Sequence, residues 1–445
     1  MEWYFALAFL LGMILGLMFI GFPVALAFIG ANLVGAVYFM GGSGDLLAQM
    51  SRGIGQLVLN TIPTVTSFNL VPVPMFLLMG ELFFHTGLAD KMFSAIERLL
   101  GRLPGRLSYV TVAGGTAFAT LSGSSMGSTA LLGTLMVPEM TSRGYKKHMS
   151  MGPILGTGGL AMLIPPSALA VLLATLANLD VGAVLIAGIG PGIVLALLYV
   201  ILIYVQCRID PAAAPSYEVD PTSLGQKLKT LITDVLPMLG LVLGVILLIL
   251  YGWSTPSESA AFGCLGVIVL AGLYRRLTWQ SLRKSVEGAL RVTTMALLII
   301  FGSATFSKLL AFSGASSGLI GWATGFDLTP LMMLLVMFGI LLILGMFMDQ
   351  LSMMLLTVPI FFPLAQTLGF DLIWFAVIIL MALEISFTTP PFGLLLFVMK
   401  GIAPPGTSMS DIYLSAIPYI LCAMVVVAIL IVFPQLALYL PSLGG

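Results

Sequence analysis

Charge is what this chain of 445 residues has least of: 18 Lys and Arg and 18 Asp and Glu make up 8%, against 59% hydrophobic residues and a mean hydropathy of +1.13. A soluble domain carries about a quarter charged residues, so a soluble fold is excluded and an integral membrane protein is indicated. The formal net charge is zero, which gives no basis for a nucleic-acid partner. Histidine occurs only at His85 and His148, and Cys207, Cys264 and Cys422 have no metal-ligand spacing. Neither a transition-metal centre nor a disulfide framework follows. The chain has no G-x-x-x-x-G-K-[ST] phosphate loop and no H-E-x-x-H, and no strand precedes the GTGG at 156–159. It therefore does not itself use ATP and carries no dinucleotide fingerprint. A serine-histidine intramembrane protease needs a histidine at membrane depth, whereas both histidines fall near helix ends. No enzyme activity and no organic cofactor are expected. The N-terminal MEWYFALAFLLGMILG has Glu2 and no basic residue, so it lacks the n-region of a secretory signal and reads as a first membrane helix.

What the chain has in abundance is apolar runs of about 20 residues, the length that crosses a ~30 Å hydrocarbon core. Crossings are expected near 3–20, 22–41, 62–88, 149–175, 181–206, 230–251, 256–274, 291–312, 372–399 and 412–438. Barrel strands would be shorter and alternating, so the expected fold class is an all-α integral membrane protein.

The chain also repeats itself. Leu131, Pro138, Gly144, Pro165 and Pro166 return as Leu356, Pro363, Gly369, Pro390 and Pro391, each pair 225 positions apart. Two halves, 1–206 and 230–445, share one plan, and the polar, proline-bearing segment 207–229 is expected to be a cytoplasmic linker. Basic residues gather in short cytoplasmic loops. The first half has Lys91, Arg98, Arg102 and Arg106, then Arg143, Lys146 and Lys147, whereas the matching loops of the second half (313–330 and 365–372) have none. Conversely, 42–60 holds only Arg52, while 275–291 carries Arg275, Arg276, Arg283, Lys284 and Arg291. Equivalent loops therefore face opposite sides, with both termini outside. Such inverted-topology repeats are the mark of secondary transporters.

Between its two basic flanks the segment 105–142 is mostly apolar, so it must enter the membrane and return. It is expected to be a re-entrant helical hairpin with SGSS (122–125) at its tip. The repeat gives a second hairpin at 329–368, turning at GMFMDQLS, where Asp349 and Gln350 stand in for Ser124 and Ser125. Each half then has a span broken by Pro-Pro, at 149–175 and 372–399. Irregular backbone at membrane depth is tolerated where it is buried in protein or lines a cavity. Proline frees the carbonyl four residues earlier, and with Ser and Thr hydroxyls such carbonyls are hard ligands for a small cation such as Na⁺. Amides at half-helix starts suit an anionic substrate group. The alternative for each piece is plainer: small residues permit close helix packing, and Pro-Pro can be a kink. What sets these apart is that four such elements occur as two matched pairs.

Asp349 is the sharpest single residue, since an intramembrane ionisable group is a functional hypothesis by default; it could equally cap the second arm of its hairpin. Glu384, Glu81 and His85 rank below it, the last two lying four apart on one helical face. The amphipathic pieces 88–105 and 277–291 are expected to be interfacial helices, or plain connectors.

FATLSGSSMGSTALLGTLMVPEMTSRGY, MGPILGTGGLAMLIPPS, GMFMDQLSMMLLTVPIFFPL and ISFTTPPFGLLLFV, in this order, resemble the large membrane subunit of the tripartite ATP-independent periplasmic (TRAP) transporters, and the likeness covers the whole chain. The resemblance implies an elevator-type scaffold plus transport domain in the bacterial inner membrane. It further implies Na⁺ as the coupling ion, an organic-acid substrate, a periplasmic solute-binding protein, and a small four-helix membrane subunit expected as a separate chain. It places sodium at Ser122, Ser124 and Ser125 with Gly156 and Gly158, and at Gly345 and Asp349 with Thr388, Thr389 and Pro390. Substrate is expected against Ser125, Gly127, Ser128, Pro165, Pro166, Ser352 and Pro391. A stand-alone Na⁺/dicarboxylate symporter of related fold, needing no binding protein, is the alternative, and a channel the more distant one.

Overall fold

The computed structural model describes residues 2–100, 103–122, 125–216, 223–326 and 328–443. Among them regular structure is helical and no strand occurs. This follows from the composition, because a backbone in lipid must satisfy its own hydrogen bonds, and helices do so within one segment. Six helices are long and apolar enough to cross a membrane, or up to eight if two bent pairs count as one span each. Shorter apolar helices, such as Trp3–Met18 and Val24–Met40, stand beside them. Start and stop signals explain the boundaries. Pro256–Leu273 begins at a capping box in which Thr255 and Glu258 satisfy each other's backbone N–H groups. The preceding helix, Leu236–Leu250, ends where Gly252 takes a left-handed φ of +65° and Trp253 N donates to Leu248 O.

Two expectations are corrected. Residues 42–60 are not a loop and the crossing does not start at 62: a helix runs Leu46–Val65, and after a short turn at Phe68–Leu70 the next begins at Pro72. Its apolar residues (Leu46, Leu47, Met50, Ile54, Val58) recur at helical spacing among Gln49, Arg52 and Gln56, a pattern too polar to read as a span. The segment 277–291 is not a separate interfacial helix either. It is the first part of one 34-residue helix, Trp279–Phe312, capped by Thr278 and Ser281. No proline interrupts it, and Gly288 and Gly302 are covered by Glu81 and Phe28. At 1.5 Å per residue this helix is about 51 Å long, well beyond a ~30 Å core. The other amphipathic piece, Leu88–Leu100, does stand apart, bent 65° from Pro72–His85 where Gly87 has φ +67°.

Two helix pairs and two interrupted helices occupy the segments read as hairpins and broken helices. The first hairpin has arms Arg106–Ser122 and Ser125–Ser142; the second has Pro330–Leu344 and Gln350–Thr367. The first broken helix is Lys147–Gly158 and Leu160–Leu163, then Ala168–Leu176; the second is Leu372–Thr388, then Leu394–Ile402. Return-arm starts (125 and 350), return-arm ends (142 and 367) and broken-helix starts (147 and 372) all differ by 225. Both return arms stop the same way, at a left-handed glycine, Gly144 (φ +80°) or Gly369 (φ +76°). There Tyr145 N bonds Met140 O, and Phe370 N bonds Ala365 O. Both Pro-Pro bonds, 165–166 and 390–391, are cis.

Packing sorts these elements. Trp279–Phe312 lies against Pro72–His85 and Val24–Gly35, and touches the second return arm, where Ser303 Oγ donates to Leu355 O at 3.0 Å. Lys147–Gly158 packs on both arms of the first hairpin and on Met409–Val432. An ion pair between Lys146 and Asp210, with Lys146 N donating to Ala213 O at 2.8 Å, ties the start of the segment 207–229 to the foot of the first broken helix.

Candidate functional site: two hairpin tips against two broken helices

At the first tip, Ser124 lies outside the described residues, as does the side chain of Ser122, which ends the outbound arm. Ser125 opens the return arm and is buried, with Ser128 and Thr129 one turn on and also buried. The Ser125 and Thr129 hydroxyls are fully enclosed and make no hydrogen bond of full geometry among the described residues, a rarity in folded proteins. Gly158 lets this arm approach: a Cβ there would lie 3.0 Å from Thr129 Oγ1 and 3.5 Å from the Ser125 carbonyl oxygen. Gly156 faces elsewhere, since two residues along a helix are about 200° around it, and the Tyr419 ring fills the space of its missing side chain. The structure thus joins Ser125 to Gly158 but not to Gly156. Gly127, beside exposed Met126, lies on the open side of the arm. Pro165 and Pro166 are buried at the break, and Ser167 caps the next segment by accepting from Ala170 N at 3.2 Å.

The second tip solves the same problem differently. Pro330–Leu344 ends at Gly345, where the Ser386 hydroxyl occupies the place of a side chain. Asp349 caps the return arm, its Oδ2 accepting from Leu351 N at 3.1 Å and Ser352 N at 3.3 Å, while the Ser352 hydroxyl donates to Oδ1. Thr388 and Thr389 both turn their hydroxyls back onto the Ile385 carbonyl, at 3.1 and 2.6 Å. Pro390 is half-buried and Pro391 exposed, and the Pro391 carbonyl accepts from Tyr413 Oη at 2.7 Å.

Between the tips stands a residue that sequence reasoning ranked below Asp349. Glu384 is 4% exposed, and Gln350 Nε2 donates to its Oε2 at 3.5 Å. Its side chain fills the space over Gly159, which lies 225 positions earlier. Applying the repeat spacing to Gly159 would have singled out Glu384. Beside it a cavity of ≈ 10 Å³, about one water in size, is lined by Gly156, Tyr199, Glu384, Thr388 and Tyr419 among others. Glu81 and His85 pair with each other at 3.2 Å, away from the tips.

The arrangement is rich in hydroxyls and carbonyls and poor in cations: no Lys, Arg or His occurs in 107–142, 149–207 or 330–399. Such a lining can hold a small hard cation and can offer amides and hydroxyls to an anion. Comparison with known proteins then gives the family. The model for "Tripartite ATP-independent periplasmic transporter, DctM component" matches residues 11–436. The chain belongs to this family. Among TRAP large permeases, the C4-dicarboxylate protein DctM of Pseudomonas aeruginosa is 30% identical over 409 residues, covering 91% of this chain and 94% of that protein. The sialic acid protein SiaM of Vibrio cholerae is 28% identical over 435 residues, covering 96% and 97%. In fold, this TRAP chain is similar to the YdaH transporter of Alcanivorax borkumensis, with a TM-score of 0.67 at 14% identity over 93% of this chain and 99% of that one. It is a multi-pass membrane protein of a transporter rather than an enzyme.

Proposed function

We propose that this chain is the translocating subunit of a sodium-driven symporter for an organic acid, carboxylate or sulfonate, in the bacterial inner membrane. The observation that carries the proposal is the pair of buried hydroxyls on Ser125 and Thr129, which make no hydrogen bond of full geometry among the described residues and lie against the glycine-lined wall of the first broken helix. Sodium is cargo in this scheme, and hard oxygen donors are what it requires. At the second tip Asp349 supplies negative charge while capping its helix, and the Thr388–Pro390 break lies opposite. The relatives named above are described for a C4-dicarboxylate and for sialic acid, both carboxylic acids, which supports the substrate class.

The 225-residue spacing of helix ends and the opposite charge of matching loops support two inverted repeats, 1–206 and 230–445, joined by the linker 207–229. Pro72–His85, Pro256–Leu273 and Trp279–Phe312 pack together and suit the fixed scaffold of an elevator. The hairpins and broken helices form the moving part, and both termini face the periplasm. "Tripartite" in the family description supports two partners, a small four-helix membrane subunit and a periplasmic solute-binding protein. The test is uptake into proteoliposomes holding both membrane subunits, with the binding protein and labelled acid outside. Uptake is expected only with an inward Na⁺ gradient. Uptake indifferent to Na⁺ overturns the coupling, and saturable uptake without binding protein favours the stand-alone symporter.

A further inference from the structure

Among the described residues Glu384 is the one buried acid. No Lys, Arg or His pairs with it among them; the ion pairs of the structure lie elsewhere. A carboxylate taken out of water without a counter-charge is costly, and proteins resolve this by pairing it or by coordinating a metal. Its neighbours are acceptor-capable rather than cationic. Gln350 reaches it at 3.5 Å, and the Ser125 hydroxyl lies beside it without making a bond of full hydrogen-bond geometry to any group.

The placement has a geometric logic. Ser125 and Gln350 open the two return arms at the repeat spacing of 225, and both reach the same carboxyl. Gly159 and Glu384 have that spacing too, and they touch. Two copies of one position meet only near the axis that relates the copies. Glu384 therefore stands where the halves cross, and Gly159 has no side chain because the single carboxyl fills its place.

We propose that Glu384 is the charge-balancing ligand of a monovalent-cation site lying between the two broken helices and shared by both hairpins. The Ser125 hydroxyl lies beside this carboxylate, and the Gln350 amide holds its Oε2 by donating from Nε2. A single carboxylate suits one positive charge; a Ca²⁺ site takes 6–8 oxygens, commonly with several carboxylates, and no cluster of three acidic, histidine or cysteine groups occurs among the described residues. The inference rests on sodium coupling and adds to it a buried carboxylate that both hairpin tips reach.

The experiment compares the intact transporter with its Glu384→Gln, Glu384→Asp and Ser125→Ala variants in proteoliposomes. It measures half-saturating Na⁺ and the ratio of ²²Na⁺ to substrate taken up. Glu384→Gln should raise half-saturating Na⁺ by about tenfold or more, as expected for loss of a buried charged ligand, and lower the ratio by one Na⁺. Glu384→Asp should keep the ratio, and Ser125→Ala should shift affinity about threefold, a hydrogen bond's worth. If Glu384→Gln matches the wild type in both measures, or Glu384→Asp behaves as the Gln variant does, the inference is wrong. Wild-type uptake that ignores Na⁺ instead overturns the coupling, which separates the two failures. Should Glu384→Gln fail to fold, Gly159→Ala serves, since its new methyl displaces the carboxyl. Na⁺-dependent thermal stabilisation, with K⁺ as control, must then weaken, and stabilisation equal to the wild type overturns the proposal.

Discussion

The two hairpins share a backbone plan and differ in where their polar groups are spent. In the first, Ser125 and Thr129 hold buried hydroxyls that make no hydrogen bond of full geometry among the described residues; in the second, Asp349 and Ser352 satisfy the start of their own arm. One tip keeps its oxygens open to a ligand, while the other uses them to make a rigid corner. Function at the first should be separable from stability, whereas at the second the two are entangled.

The largest effect should come from crowding the rigid corner. Gly345→Ala drives a methyl into Ser386, and overpacking of this kind costs about 1–3 kcal/mol. Reduced folded yield and a lower Tm are expected, with uptake lost. Gly158→Ala meets only the Thr129 hydroxyl and Leu395, so its Tm should fall less; equal losses at the two glycines would erase the contrast. Next is the double variant Ser125→Ala, Thr129→Val. No protein hydrogen bond is broken, so Tm should change little, yet half-saturating Na⁺ should rise by about tenfold or more, in line with losing ligands to a buried ion. A large Tm loss with normal Na⁺ dependence would make these hydroxyls structural.

Asp349 can be split into its two roles. Asn caps a helix as well as Asp, while Ala gives up about 1 kcal/mol. Asp349→Asn should therefore keep the Tm and weaken Na⁺ dependence, and Asp349→Ala should lower both. Wild-type uptake by the Asn variant reduces Asp349 to a cap. The smallest effect is expected outside the membrane, where the ammonium of Lys146 holds the Asp210 carboxyl below its ordinary range. A carboxylate whose value is depressed on folding contributes stability above its unfolded value and loses it as pH falls through the folded one. Asp210→Asn should lower Tm slightly at neutral pH and not at all in acid, as thermal scans across pH will show.

Most of the architecture was legible because it is local or repeated. Pro-Pro inside an apolar run announces an interrupted helix, and the helix ends of the two segments read as hairpins lie within a residue or two of the bounds expected from the 225-residue match. Failures came where chemistry and length disagree. The charges of 279–291 suggested a surface segment, yet nothing in the sequence stops the helix that starts at Trp279, so it runs on into the membrane. Leu46–Val65 was missed because half its face is polar. At the candidate site, the pairing of Ser125 with Gly158 came from the family resemblance, whereas the opposite facing of Gly156 depends on helix rotation and the Glu384–Gly159 contact on tertiary packing. Neither is written in a linear pattern until the repeat is laid on itself.

The bond from the Ser303 hydroxyl to the Leu355 carbonyl bears on how an elevator would run. It joins a residue of the proposed fixed frame to one on the proposed moving hairpin, so every stroke must give it up. A hydrogen bond of this kind is worth about 1 kcal/mol net, not far above thermal energy. It acts as a detent does in a sliding mechanism, marking one stopping place without locking the carriage there.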